Sequence, residues 1–232
     1  MWQALRGELR PRGVEVVTVA LDSGGLEAAG PWIDAANAEH PSLIDKAHRV
    51  DALLGISNVP TGVWVDEEGV LVRPPEVAHP GTSVLRDMLA EHGVPKQAPP
   101  LLLETLAEAG KIRVKPERYA AALRDWASRG ADSEFVLAPD EVVERSRPRP
   151  PEASAAAAHF ELGQHLHAAG ELDAARAHFR ESHRLDPTNW TYRRQAWSFE
   201  DPLQGPTEHY DGDWLSDVRA SGAENYYPLP DL

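Results

Sequence analysis

The alternation of apolar and polar positions divides the chain into a front part with strand-like runs and a rear part with helical periodicity. Residues 2–10 place Leu5 and Leu9 one helical turn apart before Pro11 and Gly13, which predicts the end of an amphipathic helix. Val14–Leu21, VEVVTVAL, is nearly continuous in apolar and β-branched residues and predicts a parallel strand covered on both faces. Gly24 and Gly25 break it. PWIDAANAEH predicts a crossover helix that starts at Pro31, stops before Pro41 and packs through Trp32, Ala35, Ala36 and Ala38. After a short SLID stretch, KAHRVDALLGI sets Val50, Leu53 and Leu54 at helical spacing and stops at Gly55. Gly62–Asp66 and Val70–Val72 predict a hairpin turning through Glu67, Glu68 and Gly69 and ended by Pro74 and Pro75.

Farther along, helices are expected from Leu101, from Pro116, where Tyr119, Leu123 and Trp126 share a face, and over Pro139–Arg145. Pro95, Pro99 and Pro100, and the RPRPP run from Arg147 to Pro151, predict extended spacers. The organisation expected is an α/β core over 1–75, a helical extension with linkers over 76–150, a helical hairpin with a following helix over 151–200, and an aromatic-rich tail over 201–232. Trp214, Leu215, Val218, Tyr226 and Tyr227 in that tail predict that it wraps back over the body, because such side chains are seldom left in water.

Composition narrows the function classes. A hydrophobic fraction of 42% suits a globular protein, and the 20 prolines suit several segments joined by stiff connections. Lys and Arg total 23 against 37 Asp and Glu, a formal charge of −14, so a phosphate backbone would be repelled and nucleic acid is not an expected partner. No stretch approaches the roughly 20 apolar residues needed to span a bilayer, and no apolar signal-peptide core is present, so no membrane partner and a cytoplasmic location are expected of the chain as written. A longer product with an upstream signal or anchor stays open. The chain has no cysteine, hence no disulfide, thiolate metal site or cysteine nucleophile.

No other chemistry stands out. His159, His165, His167, His178 and His183 lack the tight i, i+4 pairing of zinc helices and are expected at the surface. Asp211, Asp213 and Asp217 lack the glycine and terminal glutamate of a calcium loop and predict a solvated turn with a helix cap. No Gly-x-Ser-x-Gly elbow or phosphate-cradling glycine loop occurs, so no catalytic residue, metal ligand or cofactor is assigned.

Val59, Pro60 and Thr61, with the order of elements from Leu5 to Val72 and the polar turn Asp66–Gly69, resemble the thioredoxin-like superfamily, in particular its TlpA/ResA-type redoxin branch. In that family a proline at the start of the strand after the last crossover helix takes a cis peptide bond and walls the groove opposite the redox cysteines. The resemblance therefore implies a cis Val59–Pro60 bond and a substrate groove at Val59, Pro60 and Thr61. It also implies descent from a thiol–disulfide oxidoreductase or peroxiredoxin-like ancestor, bacterial, antioxidant in its family role and redox-inactive here for want of sulfur. The family's first strand and Cys-x-x-Cys turn have no counterpart. That strand would lie between the segments at 14–21 and 62–66, so these should pair directly or be joined by a strand from elsewhere. The segments are expected in one βαββ skeleton, and finding them in unrelated sheets would contradict the resemblance. A cysteine-free relative and the downstream part of a longer reading frame both remain open, the mid-pattern start favouring the second.

In the rear part Leu162, Gly163, Leu166, Ala175, Phe179, Ser182 and Pro187 resemble one tetratricopeptide (TPR) repeat, with Gly170 ending its first helix and Asp186 with Pro187 its second. The fold class expected is thus an incomplete thioredoxin-like α/β core followed by an all-α TPR-like region. One repeat must borrow a packing surface, from the Tyr119 and Trp126 helix before it or from a helix over Trp190–Trp197 after it. The alternative function is a non-catalytic adaptor that binds a protein or peptide partner.

Overall fold

The computed structural model describes residues 2–81, 99–146 and 148–232, a mixed α/β chain with small sheets and a helical majority. Pro95 and Arg147 of the expected spacers lie outside the described residues. Helix α1 (Trp2–Leu9) runs into a short 3₁₀ turn that Gly13 closes in the left-handed region. Strand β1 (Thr18–Leu21), helix α2 (Leu26–Ala36) and strand β2 (Ser42–Asp45) form a parallel βαβ unit in which Thr18 faces Ser42 and Leu21 faces Asp45. Helix α3 (Arg49–Leu54) follows and ends at a left-handed Gly55, as expected. Strands β3 (Thr61–Val65) and β4 (Leu71–Val77) make the antiparallel hairpin.

Several local expectations are corrected. β1 covers only the last four residues of its apolar run, since its partner among the described residues, β2, is itself four residues long. Helix α2 begins five residues before Pro31, which lies inside it and removes one helical hydrogen bond, and its buried residues are Ala29 and Gly30 while Trp32 is 79% exposed. Leu53 likewise faces outward. β4 runs through Pro74 and Pro75 instead of ending there. The prolines are tolerated because the ladder bulges opposite them, between Gly62 and Trp64.

The larger correction concerns the sheet. β1 with β2 and β3 with β4 are two separate two-stranded sheets, so the segments at 14–21 and 62–66 do not share the single skeleton expected of them. They neither pair with each other nor gain a strand from the other described residues.

The remaining elements are helices: α4 (Pro100–Ala109), α5 (Pro116–Arg129), α6 (Pro139–Ser146), α7 (Pro151–Ala168), α8 (Leu172–Leu185), α9 (Trp190–Glu200) and α10 (Trp214–Ser221). Pro100, Pro116, Pro139 and Pro151 each sit at a first helical position, where the missing N–H costs nothing. Two cores form. One joins α1, β3, β4 and α5 around Leu9, Trp64, Tyr119 and Leu123, and takes in the chain's last residue, Leu232. The other joins α7, α8, α9 and α10 around Phe160, Phe179, Trp197 and Val218, with Leu101 and Ala109 of α4 against it. Helices α4 and α5 are thus divided between the two cores.

Candidate functional site

The most distinctive feature of the front half is a slot of about 1010 Å³ between the two sheets. Val14–Val19 and Leu21 line one side and Val59–Glu67 the other, with Trp2, Leu123 and Trp126 from α1 and α5 and Val50 and Leu54 from α3 completing the walls. Strand geometry sets what its edges offer. Backbone groups of successive residues point to opposite sides of a strand. The amide of Thr18 donates to the Pro41 carbonyl at 3.0 Å, on the β2 side, so the N–H and C=O groups of Val17, Val19 and Leu21 point the other way. On β3 the amide of Ala78 donates to the Pro60 carbonyl at 3.1 Å and that of Asp66 to the Val70 carbonyl at 2.9 Å, which turns Thr61, Val63 and Val65 away from β4. Two rows of backbone groups without a ladder partner among the described residues therefore border the slot. Val17 and Val65, 52% and 44% exposed, show that its rim is also apolar.

Pro60 stands beside this slot, and the Val59–Pro60 bond is cis. The segment is held from several directions. The Asn58 carboxamide accepts from the Val59 amide at 2.9 Å, the Thr61 hydroxyl donates to the Asn58 carbonyl at 2.7 Å, and the Tyr227 hydroxyl donates to the Val59 carbonyl at 2.7 Å. Val59, Pro60 and Thr61 are thereby brought together as one wall, buttressed by the C-terminal tail. Deeper in, Trp64 stacks on Trp126 at 5.0 Å and donates through Nε1 to the Tyr119 hydroxyl at 3.1 Å. Burial pushes the Tyr119 phenol up to about 12, so it stays neutral. A side chain at Gly62 would meet the Tyr119 hydroxyl oxygen at 2.6 Å, which explains why glycine occupies this close approach.

The TPR-like residues form a different surface. Ala175, Phe179 and Ser182 are buried between α7 and α8, and Gly163 is buried where a Cβ would stand 2.6 Å from the Phe179 ring. Leu166 packs half-buried against the same core, and Asp186 with Pro187 follows α8. Leu162 departs from its expected packing role and is 42% exposed. The hairpin borrows its surface from α9, where Tyr192 stacks on Phe160 at 4.2 Å, and from α10; α5, the other candidate, packs on Trp64 instead. The tail wraps back as expected, with Asn58 donating to the Tyr226 carbonyl and Arg73 to that of Asp231. Asp213 caps α10 in a capping box.

Sequence reasoning missed one polar cluster. His48 Nδ1 lies 2.9 Å from the Asp51 carboxylate, and its Nε2 lies 3.2 Å from the Gln195 carboxamide oxygen, which also accepts from the Ser23 amide. The three residues are buried, and the cluster joins α3 to α9. Its i, i+3 spacing was the only local signal. The histidines are less superficial than expected: His167 stacks on Phe199, and burial beside the Arg193 guanidinium holds the His183 imidazole down to about 4. His159 and His178 meet across α7 and α8 with Nδ1 atoms 2.8 Å apart. Among the described residues no group of three or more potential ligands could hold a metal ion.

Among the described residues no helix is long and apolar enough to cross a membrane. Comparison of the chain with protein-family models, with curated proteins and with solved structures gave no match.

Proposed function

We propose that this chain is a thiol-free polypeptide-binding module of redoxin ancestry, in which the slot beside Pro60 has the binding role and the helical half braces it. The observation that carries the reading is the slot itself: an apolar cleft of about 1010 Å³ between two strand edges, in a chain with no cysteine. Its volume lies just above the range of about 300–1,000 Å³ common for small-ligand pockets, as suits a larger occupant. Support for the ancestry comes from the residues quoted for the resemblance, from a βαβ unit followed by a hairpin, and from Pro60 at the wall of one slot that both sheets line, so that the two sheets are separate but not unrelated. Thiol–disulfide exchange needs an attacking thiolate, and this chain has none.

Selection of a random peptide library on the immobilised chain tests the reading, with a heat-unfolded sample as control. Enrichment of peptides that bind only the folded chain is the expected result, together with insulin-disulfide reduction at the level of buffer. Absence of any fold-dependent peptide, or reductase turnover above buffer, would contradict it. The exposed surface of α7 and α8, including Leu162 and Leu172, offers a second, adaptor-type contact face.

A further inference from the structure

We infer that the slot accepts one extended apolar strand from a separate polypeptide, which pairs with β1 on one side and β3 on the other and gives the order β2-β1-partner-β3-β4. The inference deepens the binding role proposed above and rests on it.

Three observations define the occupant. The slot-facing groups of Val17, Val19 and Leu21 and of Thr61, Val63 and Val65 form two rows of donors and acceptors that no ladder among the described residues uses. An extended backbone can satisfy both rows at once, whereas a helix bonds its own backbone and a small molecule meets only a few of these groups. The walls are apolar and are supplied by α1, α3 and α5, so the occupant has apolar residues in succession rather than in alternation, as strands enclosed on both faces do. Charge gives the third property. Asp66, Glu67 and Glu68 form the acidic turn at the end of β3, on a chain of net charge −14, and favour a strand flanked by lysine or arginine. Unpaired apolar edges attract other strands, which is why isolated edges are usually blocked; here no described residue covers the edges of β1 and β3, which face a shared cavity.

The test uses the full chain, isotope-labelled, and the peptide Lys-Lys-Val-Ile-Val-Ile-Val-Lys-Lys, with amide hydrogen exchange as the readout. Saturating peptide should slow exchange at Val17, Val19, Val63 and Val65 by about tenfold or more and leave Thr18 and Gly62 unchanged. A peptide N-methylated at its central valine should bind about tenfold more weakly, and one with glutamate in place of lysine should bind more weakly still. Val63→Pro, which deletes a slot-facing N–H while sparing the β4 ladder, should also lose the peptide; should that variant fail to fold, the N-methyl comparison tests the same hydrogen bond on the wild-type chain. Peptide-induced side-chain shifts at Val17, Val63 and Trp64 without slowed amide exchange there would overturn the strand inference while leaving the slot's binding role intact, whereas protection confined to α7–α9 would overturn both. A dimer in sedimentation whose slot amides are slow without peptide would overturn it in favour of a second copy as occupant. Failure of every peptide, in this assay and in the library selection, would remove both.

Discussion

The front and rear halves of this chain use similar apolar content in opposite ways. In the rear half every large aromatic finds a neighbour: Phe160 lies against Tyr192 and Phe179, Trp214 donates to the Tyr226 hydroxyl, and Trp197 is fully buried. In the front half Trp64, Trp126 and Tyr119 pack just as closely, yet they border a cavity of about 1010 Å³ that no described residue fills. Helices satisfy their own backbone hydrogen bonds and need only side-chain cover. Strands need neighbours, and two-stranded sheets leave half of their groups unmatched. The closed half therefore supplies stability, and the open half holds the slot to which the binding role is proposed.

The largest predicted effect sharpens this contrast. Trp197→Ala should cost about 3–5 kcal/mol in denaturant unfolding, because the rear core has no adjacent space into which it can relax. Trp126→Ala should cost clearly less, since that ring is half-buried on a cavity already open; equal losses would break the comparison. Next in size is the helix contact at Gly163. Gly163→Ala should destabilise by about 1–3 kcal/mol through the collision with Phe179, whereas Gly7→Ala in α1, with nothing within 4 Å, should stabilise by up to about 1 kcal/mol.

The rear core also predicts a pH dependence. His183 is held neutral by burial and by Arg193, with its proton affinity lowered from 6.5 to about 4. The unfolded chain then binds more protons than the folded one between those values, so stability rises with pH across that window and is lost as pH falls through it. The slope should reach roughly 1.4 kcal/mol per pH unit. His183→Phe should flatten that segment of the stability curve. Smaller again is Asp213→Ala, which removes the α10 cap and should cost about 0.5–2 kcal/mol. The smallest effect belongs to Leu53→Gln, which should change stability by less than about 0.5 kcal/mol because the side chain is 83% exposed.

How much of this was legible in the sequence follows from the range of the forces involved. Local signals worked: Gly55 and Asp186 end their helices, Asp66–Gly69 turns the hairpin, and Gly163 with Phe179 marks a close helix pair. Proline misled twice. Pro31 signals a helix start though it lies inside α2, and Pro74 with Pro75 signals a strand end though a bulge carries β4 past them. The apolar run at Val14–Leu21 marks a strand but does not reveal that its neighbour among the described residues is β2 alone, because pairing is decided by the rest of the fold. The junction of His48, Asp51 and Gln195 joins residues far apart in the chain and left no periodic trace. Of the site, Val59–Thr61 was legible from the resemblance, and the slot only as a missing neighbour.

Amide hydrogen exchange on the chain without any ligand tests the central claim most directly. The account predicts alternation along β1 and β3: slow exchange at Thr18, Ala20, Gly62 and Asp66, which bond to β2 or β4, and fast exchange at Val17, Val19, Val63 and Val65, which face the slot. Equal, slow exchange in both sets would show the two edges already paired, and would contradict it.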